Sequence, residues 1–227
     1  MSGTSTPGRI TSGISADAAA LSTLDFIEKN LAAWRDDPER RSVEAERILN
    51  SQLCKFLNVA AQSGFPMVRF HHEEPQGARH SVDMSANVTD ADWIEGRTYT
   101  KYEPILVLEG KRLPTPGSGR EREYVASASD EKPCGGVQRF KLGLHGAGVS
   151  IAGMVGYVQA GSCSHWFHVV NSWITELASS GASLWFDEDR LDRFVVDEGA
   201  RVSRCNSEHA RPRGARPIRI FHIWIEM

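Results

Sequence analysis

The chain has 227 residues, 41% hydrophobic and 24% charged. That mixture excludes a disordered or fibrous protein, and a chain this long buries roughly 70–75% of its unfolded surface without needing disulfides or a structural metal. The formal net charge of −3 excludes a globally basic nucleic-acid coat but leaves room for a local basic cleft on an acidic body.

Residues 1–16 are rich in Ser, Thr and Gly and read as a flexible tail without the apolar stretch of a secretory signal. Residues 17–36 read as an amphipathic helix, with Leu21, Leu24, Ile27, Leu31 and Trp34 at helical spacing, ended by Asp36, Asp37 and Pro38. A second helix follows Ser42, with Ile48, Leu49, Leu53, Phe56 and Leu57 in period, and stops at Gly64 and Pro66. The period then changes to strand: Met67–His72, a turn over 73–78, and His80–Val88. In the latter, Val82, Met84, Ala86 and Val88 alternate with Ser81, Asp83, Ser85 and Asn87. A loop with Asp90, Asp92 and Gly96 leads to the strand over 102–113, whose Ile105, Leu106, Val107 and Leu108 are apolar on both faces, as in the middle of a sheet. Residues 114–136 form a long loop, the sort of segment that often carries function. A short helix over Val137–Leu144, a buried strand over Val149–Gln159 and a helix over His165–Leu177 come next. Short strands in 182–200, a polar arginine-bearing loop and a terminal strand in "IRIFHIWIEM" close the chain.

This order predicts an α/β protein: a three-layer αβα sandwich around a mixed sheet. It predicts one domain over 17–227, with its core at 43–158 and an elaboration at 159–227. No apolar run approaches the ~18–20 residues of a membrane span. The scattered Cys54, Cys134, Cys163 and Cys205 suit a reduced, cytoplasmic compartment.

Glu109 and Lys111 stand two apart on one strand and point the same way, continuing the face of Ile105 and Val107. Opposite charges at the end of a buried strand are costly without a purpose, although surface strands also carry such pairs. Asp83 lies on the polar face of the preceding strand. Antiparallel pairing would set it roughly 5 Å from Glu109, close enough for both carboxylates to share one Mg²⁺, with the Gly110 carbonyl as a third ligand. Lys111 would then hold a phosphate oxygen or an attacking water.

"HSVD" at 80–83 followed by "LEGK" at 108–111 resembles the PD-(D/E)XK, or restriction-endonuclease-like, nucleases, with Val82 where the family's Pro precedes its first Asp. The helix–β–β–β–helix–β order over about 43–158 is similar too. The resemblance implies a restriction-endonuclease-like core, Mg²⁺ (or Mn²⁺ in its place) and hydrolysis of nucleic-acid phosphodiesters, DNA foremost, in restriction, phage defence or repair. It also implies accessory roles for Glu46 on the first core helix and for Gln138, which in related nucleases orients water or substrate. For Glu46, a carboxylate favouring its helix N-terminus is an equal reading. Arg112, Arg139 and Lys141 are placed to meet phosphates.

The rival reading is a catalytically inactive protein of the same fold, binding nucleic acid or serving as an interaction subunit; a homodimer or a partner subunit fits either. A zinc site from Cys163, His165, Cys205 and His209 is disfavoured by its spacing. Trp93 is the tryptophan placed for base stacking. The charge is uneven: residues 97–145 hold nine Lys and Arg against six acids, and residues 201–219 hold six Arg against Glu208 alone. Phosphate contacts are expected in those two segments.

Overall fold

The alternations and helical periods build nine strands and four α-helices among the residues that the computed structural model describes, 16–76, 80–90, 92–94, 97–127, 133–181 and 184–227. The tail at 1–15 lies outside them. Helix α1 spans Ala16–Arg35 and α2 spans Glu46–Gly64. Each buries one stripe: Leu24, Ile27, Leu31 and Trp34 in α1, and Leu49, Leu53, Leu57 and Ala61 in α2. Strand β1 (Val68–Pro75) runs into the stretch expected to turn, and β2 covers Ser81–Val88. The expected loop after β2 contains a small hairpin, β3 (Asp92–Ile94) and β4 (Arg97–Tyr99). Strand β5 covers Pro104–Leu113, α3 Gly136–Lys141, β6 Ile151–Val158 and α4 Cys163–Ser179. Strands β7 (Asp192–Asp197), β8 (Val202–His209) and β9 (Ile218–Glu226) complete the chain.

Seven strands form one mixed sheet in the order β1-β2-β5-β6-β9-β8-β7. The middle pairs, β5 with β6 and β6 with β9, are parallel; the outer ones are antiparallel. Parallel strands must be covered on both faces, and here they are. Leu106, Leu108, Val155, Tyr157 and Ile223 pack with α1 and α2. Val107, Met154, Ile220 and Trp224 pack with α3, α4 and the 124–126 segment. The chain is therefore α/β, a mixed sheet flanked by helices.

Two expectations need correction. Ile105 does not share a face with Val107. It packs with Leu106 on the α1–α2 side, because the β2–β5 register shifts at Ala86/Asn87, where Ala86 faces Leu106 but Asn87 faces Pro104. Residues 202–209, expected as polar loop, are strand β8. Its inward positions include Ser203, Ser207 and His209, so no apolar alternation marks it.

Ser207 and His209 are satisfied by other buried polar groups. The Trp224 indole N–H donates to Tyr124 Oη (2.7 Å), which lies 2.7 Å from His222 Nδ1. Ser207 Oγ sits 2.9 Å from His222 Nε2 and 2.7 Å from His209 Nε2. His209 Nδ1 lies 2.8 Å from Asp189 Oδ1, which also accepts from Lys141 Nζ at 2.6 Å. Burial pushes the His222 imidazole down to about 3 and lowers that of His209, so both rings stay neutral and the hydrogen bonds run in one direction toward Asp189.

Lys141 is thus a buried structural cation with 1% of its side chain exposed, not the phosphate contact expected from the sequence. Lys141→Met removes the cation facing Asp189 and should cost about 3–5 kcal/mol, whereas Arg47→Ala, which breaks the exposed pair with Glu73, should leave stability almost unchanged. Urea unfolding of the two variants checks this.

Candidate active site

The sequence Leu108-Glu109-Gly110-Lys111 continues a buried strand into a place where the sheet opens. The β2–β5 ladder has Ala86, Ser85 and Met84 facing Leu106, Val107 and Leu108, and Met84↔Leu108 is its last pair. One further step in that register sets Asp83 against Glu109, the juxtaposition expected from the sequence. The ladder is not continued there. Instead the Asp83 carboxylate accepts the Gly110 N–H at 2.8 Å, taking the place of the lost backbone partner. A strand residue directs its N–H and C=O toward the same neighbour, so the Gly110 carbonyl also faces this opening.

Gly110 has no room for a side chain. A Cβ there would lie 1.9 Å from Asn50 Oδ1, and that oxygen is fixed by the Tyr157 hydroxyl at 2.7 Å.

Lys111 Nζ sits among three carboxylates: 2.6 Å from Glu46 Oε1, 3.8 Å from Glu109 Oε2 and 3.9 Å from Asp83 Oδ2. Glu46 opens α2, so its position both favours the helix N-terminus and holds Lys111; the two readings of this residue coexist. Its Oε2 also accepts the Arg112 N–H at 3.4 Å. Burial works to lower the Lys111 ammonium, but the three carboxylates outweigh it and hold the pKa above its ordinary value.

The carboxylates are not alike. Glu109 is 1% exposed. Burial works to raise its pKa, and neighbouring His145, Lys111 and Arg139 outweigh that and bring it below the ordinary range. Asp83, 27% exposed at the rim, is pushed up to about 7 by desolvation and by the charge of Glu109, against the pull of Lys111 and the Gly110 N–H. One carboxylate is held ionised beside another that shares its site.

His145 is the residue that sequence reasoning missed. It follows α3 in a Gly-flanked turn, packs edge-on against Phe140 and brings Nδ1 to 2.8 Å from Glu109 Oε1. The approach is off the direction of a hydrogen bond: Nδ1 of His145 and both oxygens of Glu109 are buried without a hydrogen-bond partner. Among the described residues no three His, Cys, Asp or Glu side chains converge as a full ligand set. Mg²⁺, however, takes only one or two carboxylates and keeps its waters. The unpartnered Glu109 oxygens beside Asp83 and the Gly110 carbonyl are donors of the hard type that such an ion takes.

The other expected residues divide. Arg139 joins the site, with Nη1 3.6 Å from Glu109 Oε2. Gln138 is buried and its carbonyl oxygen accepts from Ser127 N (3.1 Å) and Oγ (2.9 Å), so it ties down the preceding loop. The Arg112 guanidinium donates to the Glu44 carbonyl at 3.2 Å, on the approach to α2. The side chain of Trp93 lies outside the described residues. Two arginines of the C-terminal cluster serve the fold: Arg204 pairs with Asp25 and Glu28, and Arg211 is buried among backbone carbonyls.

No protein-family model, no curated protein and no solved structure matches this chain.

The raised Asp83 carboxyl has a stability consequence. Folded, it keeps its proton up to about pH 7; unfolded, it loses it near 4. Its contribution is fully present below pH 4 and is lost as pH rises through 7. In EDTA, the melting temperature of the wild type should fall between pH 5 and pH 8, and Asp83→Asn should flatten that fall and melt higher at pH 8. Thermal denaturation at the two pH values measures it.

Proposed function

We propose that this protein is a nuclease of the PD-(D/E)XK type, hydrolysing DNA phosphodiester bonds with Mg²⁺ or Mn²⁺. The observation that carries the reading is the cluster where β2 leaves β5. There Asp83, Glu109 and Lys111 lie together, and the buried Glu109 oxygens lack any hydrogen-bond partner. A buried carboxylate whose oxygens accept no hydrogen bond keeps a desolvation cost that the nearby Lys111 and Arg139 offset only in part, and a bound ion would meet the rest. The restriction-endonuclease-like core belongs to the same proposal. The antiparallel run β1-β2-β5, the helix α3 and the return to β6, parallel to β5, support it.

Asp83, Glu109 and the Gly110 carbonyl would hold the ion. When bound, it supplies a Lewis acid that polarises the scissile phosphate and acidifies a water. Lys111 contributes a cation at the same place, positioned by Glu46 at 2.6 Å, to hold the attacking oxygen or meet the charge that builds on phosphorus. Arg139 adds a second cation beside Glu109, suited to a non-bridging phosphate oxygen. Glu109 keeps its charge through its neighbours, so it stays a ligand rather than a proton donor. The exposed rim at Asp83 and Glu46 is the side from which a phosphate backbone approaches.

Purified protein should cut DNA in Mg²⁺ or Mn²⁺ and not in EDTA. Glu109→Ala and Lys111→Ala should each lower the rate at least ~10²-fold, the scale of losing one preorganised charge from a transition state, compared at a temperature where circular dichroism shows each variant folded. An unaltered rate in Lys111→Ala would sink the assignment.

A further inference from the structure

We propose that His145 is itself a metal ligand, through Nδ1, so that this site is a mixed nitrogen–oxygen site selecting Mn²⁺ over Mg²⁺. The inference rests on the metal-site reading above and adds a residue that lies outside the acidic motif.

Three observations carry it. The first is the geometry of the His145–Glu109 pair. Nδ1 and Oε1 are 2.8 Å apart, yet not oriented as donor and acceptor, and both atoms are buried with no hydrogen-bond partner. Two buried polar groups in contact without a hydrogen bond are each left unpaid for their lost water. Adjacent donors about 2.1 Å from one ion stand about 3 Å apart, so this spacing is that of two neighbouring ligands. A single cation would satisfy Nδ1 and Glu109 together.

The second is how firmly the ring is held. Its side chain is 1% exposed and its ring packs edge-on against Phe140. The backbone of its turn is clamped from behind by Arg211. That guanidinium donates to the carbonyls of Phe140 (3.0 Å), Gly146 (2.8 Å) and His145 itself (3.4 Å). Burial lowers the Arg211 pKa, so placing this cation here is costly. What it secures is the position of the 140–146 turn, and with it Nδ1 against Glu109.

The third is chemical. Mg²⁺ takes oxygen donors and gives up its waters reluctantly, whereas imidazole nitrogen suits transition metals. Asp83, Glu109 and the Gly110 carbonyl alone would be an ordinary Mg²⁺ set. Adding His145 moves the preference to Mn²⁺.

The test is magnetic and calorimetric and needs no turnover. Full-length protein loaded with one equivalent of MnCl₂ should show ¹⁴N electron-spin-echo modulation from a directly bound imidazole. Labelling the histidines with ¹⁵N should remove the ¹⁴N signal. His145→Gln should abolish it. His80→Gln should retain it, because His80 is the other ring in contact with His145, 6.1 Å away between centroids. By calorimetry, the wild type should bind Mn²⁺ at least about tenfold more tightly than Mg²⁺. His145→Gln should lose about tenfold or more toward Mn²⁺ and under threefold toward Mg²⁺. Mn²⁺ bound in a manner lost in Glu109→Gln, but without nitrogen modulation in the wild type, overturns the ligand role of His145 and leaves the carboxylate site standing. Loss of modulation in His80→Gln also overturns it. Failure of the wild type to bind either ion overturns both readings. If His145→Gln does not fold, the wild-type and His80→Gln spectra still decide.

Discussion

The ammonium of Lys111 is the charge on which this architecture turns. It lies 2.6 to 3.9 Å from carboxylates of Glu46, Asp83 and Glu109, which come from α2, β2 and β5. A unit charge at 4 Å from its opposite is worth about 4 kcal/mol at the effective dielectric of a protein near its surface. The ammonium therefore ties three elements across the place where the sheet parts. It does not balance them. Arg139 adds a contact to Glu109 at 3.6 Å, and burial, together with the charge of Glu109, pushes Asp83 up. A cluster that folds with excess acid around one buried lysine has its remaining demand for positive charge built in.

That demand is met by geometry as well as charge. The divergence of β2 from β5 after Met84↔Leu108 removes backbone pairing where Asp83, Glu109 and Gly110 sit. The Asp83 side chain replaces one lost bond, and the freed strand edge gives the site its acceptors. The absence of a side chain at Gly110 lets Asn50 lie against the strand, which anchors α2 and so Glu46. Motif, helix and strand opening are one construction rather than separate features.

The opposite half of the sheet follows a different economy. Strand β8 turns Ser207 and His209 inward, and they are made tolerable by a chain of hydrogen bonds from Trp224 through Tyr124 and His222 to Asp189. Asp189 in turn is compensated by Lys141 at the end of α3. The same short helix carries Arg139 toward Glu109, and Arg211 fixes the turn after it. The buried polar core thus reaches the candidate site through α3 and the residues that follow.

Local pattern in the sequence determined the helices, most of the strands, the α/β class and the pairing of the strand that carries Asp83 with the Glu109–Lys111 strand. Apolar periodicity is a local signal, and so is the spacing of two charges on one strand. Strand β8 and the buried state of Lys141 were illegible, because polar residues facing inward look like solvent-facing ones until their partners, far away in the chain, are brought to them. His145 escaped for the same reason: nothing in its neighbours 143–146 announces Glu109, 36 residues earlier. Only the tertiary structure decided which acids share the ammonium, which of them is raised, and which arginines are spent on backbone carbonyls. Desolvation and charge–charge energies depend on distances between elements, and the sequence orders those elements without setting how far apart they lie.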